Sequence, residues 1–183
     1  METKKYKLTE ETIIVNDKSL YRIEALKDFG NVKKGDKGGF VEKEDNLSQS
    51  DNCWVYDNAM VYDNARVFGN AMVYGTARVY DDAMVYGKAK VRDNVIIYNN
   101  AIICGNAWVY GNAVICGNAW VNGNADVFGD AVIGDNAVIC GNAWVNGNTK
   151  VYGNAKVYGE AMVYGEADVC GNAEVCGNAE VYD

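Results

Sequence analysis

Histidine and proline are both absent from the 183 residues, and serine does not occur after Ser50. The lack of histidine removes the imidazole that titrates near neutral pH, so neither a Ser/His nor a Cys/His pair can form, nor can a histidine-containing metal site. Asp81-Asp82 is the one adjacent carboxylate pair within the repetitive part, and it falls at turn positions where Asp is ordinary. Thr76 and Thr149 are the last two threonines, too few for the threonine ladder that an ice-binding surface needs. No apolar run approaches membrane-spanning length, and no basic start, apolar core and small-residue cleavage site marks a secretory signal. The expectation is a non-enzymatic chain without a cofactor or metal, off the membrane and in the cytoplasm of the cell that makes it. The missing proline permits central strands throughout, because each keeps its N–H donor.

What is present is a six-residue unit, V-Y-G-N-A-x, repeated from Val55 to Val181 without insertion or deletion. Valine or isoleucine stands at every sixth position, making 22 aliphatic positions that bound 21 hexads. Two residues before each is a small residue, alanine except at Cys53, Val95 and Thr149. A fixed short period is the mark of a solenoid. In an extended strand alternate side chains share a face, so the Ala and Val of A-x-V point into the core and x points out. Gly holds the first turn position in 15 of 21 hexads and Asn the second in 15 of 21. Both types tolerate the left-handed backbone of a tight corner. The fold expected is all-β, a parallel β-helix of about seven triangular coils of 18 residues.

Residues 1–46 are different, with ten basic and ten acidic side chains and no hexad rhythm. Tyr6 to Leu8, Thr12 to Val15 and Leu20 to Leu26 read as strands, with Asn16-Asp17-Lys18 as a turn. This segment is read as a small β cap over the first coil, whose unpaired backbone and core would otherwise be open. The helix is then 47–183, with Leu47 on the alanine register and Gln49 on the valine register. The formal net charge of -8 lies wholly on the repeats.

The outward x residues divide the rod into zones. The first leans basic, with Arg66, Arg78, Lys88, Lys90 and Arg92. The middle is apolar: Ile96, Ile102, Trp108, Val114, Trp120, Val132, Val138 and Trp144, broken by Asp126. The last is acidic, with Glu160, Glu166, Asp168, Glu174 and Glu180. Soluble monomers rarely expose a large contiguous apolar patch, so the middle zone is the candidate surface for self-association or a partner. The homo-oligomer would be a trimer or dimer. Arg78, Lys90 and Arg92 form a possible ligand zone, suited to a small signalling nucleotide held between subunits. Direct nucleic-acid binding is not expected of an acidic rod, and Arg92 between Tyr74 and Tyr110 reads as a cation–π contact.

The six cysteines offer no C-x-x-C spacing. Cys104, Cys116, Cys140, Cys170 and Cys176 follow the inward aliphatic residue and read as outward. None has another cysteine 18 residues away, so no stacked pair can bridge, as expected of thiols in a reducing compartment. Cys53 reads as a small apolar core residue.

The hexads resemble those of the hexapeptide-repeat acyltransferases. That resemblance implies a left-handed coil, which the hexad itself does not specify, and a homotrimer with active sites between subunits. The chain departs from it in carrying Tyr or Cys just after the aliphatic residue and in lacking the family's catalytic histidine. The stretch LYRIEALKDFGNVKKGDKGGFVEKEDNLSQSDNCWVYDNAMV, Leu20 to Val61, is similar to a family of phage and prophage proteins that join this leader to Y-G-N-A repeats. Its implication is a phage context, and with it the host bacterial cytosol as the compartment. Together these readings give a non-enzymatic protein that binds a macromolecular partner, a host protein such as an antiphage defence component. A structural or virion-associated oligomer is the alternative.

Overall fold

The computed structural model describes residues 4–183. An N-terminal hairpin pairs β1 (Tyr6–Val15) with β2 (Lys18–Ala25) across Asn16 and Asp17, both at positive φ. That is the backbone a two-residue hairpin turn demands and Asn and Asp accept. Strand β2 then pairs antiparallel with β3 (Lys37–Val41). After β3 every pairing is parallel, each rung a two- or three-residue strand made by the x-V of the hexad. Successive rungs go to three sheets in turn, named here by a central outward residue: the Val114 face, the Trp120 face and the Trp108 face. The product is an all-β parallel solenoid of about eight turns, with a narrow core of Ala and Val that is almost entirely inaccessible.

Eight turns replace the seven expected because the first coil starts inside the segment read as cap. Phe40 and Val41 pair in parallel with Met60 and Val61, and Leu47 bridges to Val67. Leu47 thus occupies a valine position and not the alanine register. Two extra residues between Leu47 and Val55 shift the frame, which hides this coil from a strict six-residue count. Gly38 and Gly39 belong to its close packing: a Cβ on Gly38 would lie 2.5 Å from the Val55 carbonyl oxygen, and one on Gly39 2.4 Å from that of Ala59.

The two turn positions do different physical work. All 21 first positions, Gly or Asp or Asn99, have positive φ, whereas the Asn at the second position does not. The second-position amides instead donate along the rod to the next coil, as Asn100 Nδ2 to Asn118 Oδ1 at 3.1 Å and Asn118 Nδ2 to Asn136 Oδ1 at 3.0 Å. Four of the five aspartates at the first position accept a backbone N–H from the next coil, Gly75 to Asp57, Asn99 to Asp81, Gly111 to Asp93 and Gly153 to Asp135, while the Asp63 carboxylate pairs with Lys18. Aromatic side chains after the Val stack in the same columns, Tyr56 on Tyr74 at 4.4 Å and Tyr110 on Phe128 at 4.7 Å between centroids.

Burial in this ladder pushes the Tyr56 phenol from 10.0 up to about 12, and those of Tyr62 and Tyr74 upward as well. The folded state therefore keeps protons that the unfolded chain loses above its own phenol pKa. Stability from these groups is whole below pH 10.0 and is lost as pH rises toward about 12. Absorbance of tyrosinate followed together with circular dichroism across that window should show ionisation and unfolding rising in step.

Thr149 is the one buried side chain among the described residues whose polar atom has no hydrogen-bond partner. It sits in the alanine column with no accessible surface. Replacing its hydroxyl with the equal-sized methyl of valine, which Val95 already carries at an equivalent place, should stabilise the chain by about 1 kcal/mol in a denaturant titration.

Candidate interaction surface

The structure divides the middle zone among the three faces in the register expected from an 18-residue coil. Ile96, Val114 and Val132 are lateral neighbours, as are Ile102, Trp120 and Val138. Trp108 and Trp144 flank Asp126. The aliphatic members are half-buried by their own neighbours, whereas Trp108, Trp120 and Trp144 remain 41%, 44% and 42% exposed. They stand clear because an indole outreaches the valine, isoleucine or aspartate beside it.

Each of the three indoles has a contact that positions it. Trp120 Nε1 donates to Cys104 Sγ at 3.1 Å, which places its ring over the corner of its face. Cys104 is itself buried, contrary to the outward assignment, because Trp120 covers it. Cys116 and Cys140 are partly covered, and Cys170 and Cys176 are exposed as expected. All six thiols are free, and Cys53 lies in the core.

The Trp108 face has the most varied chemistry. Lys90 Nζ lies 4.4 Å from the centroid of Trp108, and Trp144 leans at 52° on Phe128 with centroids 5.3 Å apart. Between the two indoles the Asp126 carboxyl is half-buried, and burial raises its pKa above the usual carboxylate range. No cation among the described residues pairs with it.

Of the ligand zone, Lys90 and Arg92 come together and Arg78 does not. Lys90 and Arg92 line a cleft of about 380 Å³ with Asp57, Tyr74, Trp108 and Tyr110. The Arg92 guanidinium sits 4.8 Å over the Tyr110 ring, the expected cation–π contact. Arg78 lies on the Val114 face between Met60 and Ile96.

One outward position behaves unlike the rest. Trp54 is an x residue, yet only 1% of it is exposed. Tyr6 and Phe29 meet its ring edge-on at 6.0 and 5.3 Å, so the hairpin and the loop after it fold over this side of the first coil. Lys5 is buried beside them and donates from Nζ to the Ser50 and Cys53 carbonyl oxygens at 3.1 and 2.9 Å, with burial lowering its pKa. Tyr6 Oη donates to Leu47 O at 2.7 Å.

Residues 77–93 and 103–117 match the family model described as the YdcK beta solenoid repeat. The chain is a β-solenoid repeat protein. The matched stretches span rungs from all three faces, including Arg78, Lys90 and Trp108. A search of curated proteins gives no match. Within the described part of this repeat protein, no three His, Cys, Asp or Glu side chains are grouped as metal ligands, and no helix is long and apolar enough to cross a membrane.

Proposed function

We infer that this solenoid is a non-enzymatic binding protein that self-associates and docks on a macromolecular partner, a host protein in a phage or prophage setting. The observation that carries the reading is the row Trp108–Asp126–Trp144: two indoles, each about two-fifths exposed, on either side of an unpaired carboxylate. Exposed tryptophans on a rigid sheet are the kind of anchor on which binding energy concentrates. A carboxylate between aromatic faces calls for a cationic group from the partner, an arginine above all, since its flat guanidinium can pair with the acid while stacking on indole. The similarity of Leu20 to Val61 to phage proteins supports modulation or inhibition of a host defence component.

The test is affinity capture with the tagged chain from a bacterial lysate, alongside Asp126→Asn and the double variant Trp108→Ser, Trp144→Ser. The expected result is one stoichiometric protein retained by the parent, reduced at least tenfold by Asp126→Asn and lost with the double variant, while circular dichroism stays the same. Equal retention by all three would remove this row from the binding surface. Co-purification with phage particles, in place of a soluble host protein, would favour the structural role.

The cleft holding Lys90 and Arg92 favours a second reading, the binding of a small signalling nucleotide through two cations and aromatic faces. A ligand that binds only the folded state raises its melting temperature. Thermal melts with cyclic mono- and dinucleotides should then show a shift that Arg92→Ala abolishes, and flat melts would discard this reading.

A further inference from the structure

The three outward columns share one charge plan. Each is basic toward the first coils (Arg66, Arg78, Lys90) and acidic at its last rung (Asp168, Glu174, Glu180), with an apolar middle that Asp126 interrupts on the Trp108 face and with Lys150 and Lys156 one rung before Asp168 and Glu174. Two prisms laid side by side in the same direction, like face to like face, would set Arg66, Arg78 or Lys90 against its own copy at one end and Glu174, Asp168 or Glu180 against its own at the other. Laid in opposite directions they set basic against acidic. Like-charge juxtaposition suppresses one geometry as effectively as complementarity selects the other.

On the Trp120 face the antiparallel match holds residue by residue. Trp120 stands three rungs from Arg66 on one side and three from Glu174 on the other. A two-fold axis lying in the interface plane at the level of Trp120, perpendicular to the rod, therefore brings Ile102 onto Val138, Met84 onto the aliphatic stem of Lys156, and Arg66 onto Glu174, each twice. Such self-complementarity is what an isologous interface requires. Arg66 has no carboxylate partner among the described residues and lies loosely over Phe68 at 5.9 Å. Glu174 is held outward by Lys156 at 3.0 Å and Tyr158 at 3.1 Å. The centre of the patch is aromatic, with Trp120 positioned by its bond to Cys104.

The other faces serve this purpose less well. The Trp108 face carries Asp126 at its middle, and interface centres are depleted of charge. On the Val114 face, an axis between Val114 and Val132 pairs Arg78 with Asp168 but has no aromatic anchor. We propose that the Trp120 face is a self-complementary interface on which two copies of this chain pack antiparallel. The proposal rests on the self-association reading above, names its geometry, and departs from the trimer that the acyltransferase resemblance implies.

Light scattering coupled to size exclusion, over a concentration series of the full chain, tests it. The parent should have twice the chain mass of 20.0 kDa. Trp120→Glu should be monomeric with an unchanged melting profile, and Val114→Glu should remain dimeric. Arg66→Glu and Glu174→Arg should each weaken the dimer roughly tenfold, since each replaces two attractions with two repulsions. The double variant Arg66→Glu, Glu174→Arg should restore the dimer to within a few-fold of the parent. A parent that is monomeric throughout would overturn both the proposal and the self-association on which it rests. A dimer that survives Trp120→Glu, that Val114→Glu disrupts, or that the charge swap fails to rescue would overturn the proposed face while leaving self-association in place. A particle of three times the chain mass would overturn the two-fold geometry.

Discussion

Ile115→Glu should prevent folding, whereas Val114→Glu, one residue away, should leave the melting temperature nearly unchanged. Ile115 is wholly inaccessible and stacks between Ile97 and Ile133 in a column with no polar group to receive a charge. A carboxylate placed there loses its hydration without gaining a partner, a penalty of several kcal/mol, on top of about 2–3 kcal/mol of lost apolar burial. The solenoid cannot move the damaged rung aside, because each coil is the template for the next. Val114 is half-buried on the outer side of the same strand, and a glutamate there can reach water, so its cost should stay within about 0.5 kcal/mol. Far-UV circular dichroism with heating separates the two, and similar behaviour of both variants would contradict the assignment of inner and outer sides.

Trp54→Ala should cost about 3–5 kcal/mol, the range for deleting a large buried aromatic. The effect would be local. Trp54 joins the hairpin to the first coil through Tyr6 and Phe29, and the Lys5 ammonium is buried next to the same ring pair, 5.0 Å from the centroid of Phe29. With the indole gone, Lys5 gains water and the cap loosens, so amides of β1, β2 and the first coil should exchange much faster. Amides around Val114 and Val132 should keep most of their protection, because a stacked array opens from its ends. Hydrogen exchange read by mass spectrometry gives both quantities. Uniform loss of protection along the chain would mean that the cap and the rod unfold as one unit.

Much of this molecule is written in its period. The inner column, the three faces and the lateral neighbours of Ile96, Ile102 and Trp108 follow from the repeat together with an 18-residue coil. The same coil length also separates Arg78 from Lys90, since nearness in sequence is a poor guide to nearness in space in a solenoid. A strict six-residue count puts Leu47 on the wrong register because two inserted residues break the frame between it and Val55. The A-x-V rule puts Trp54 on the outer side, and it says only which side of the strand a residue takes, not whether something else covers that side. The asparagines are a subtler case. Their type fits a tight corner, but the positive φ belongs to the residue before them, and their amides bond from coil to coil. Nothing in one hexad distinguishes those two reasons for an Asn.

The partner surface is the central claim, and its accessibility can be measured directly by hydroxyl-radical footprinting of tryptophan. In the free chain, Trp108 and Trp144 should be oxidised readily and Trp54 should be protected, following their exposures of 41%, 42% and 1%. In the complex with a captured partner, Trp108 and Trp144 should lose most of their reactivity while the exposed Tyr182 keeps its own. Undiminished labelling of both indoles in the complex would contradict the account and move the partner to another face of the rod.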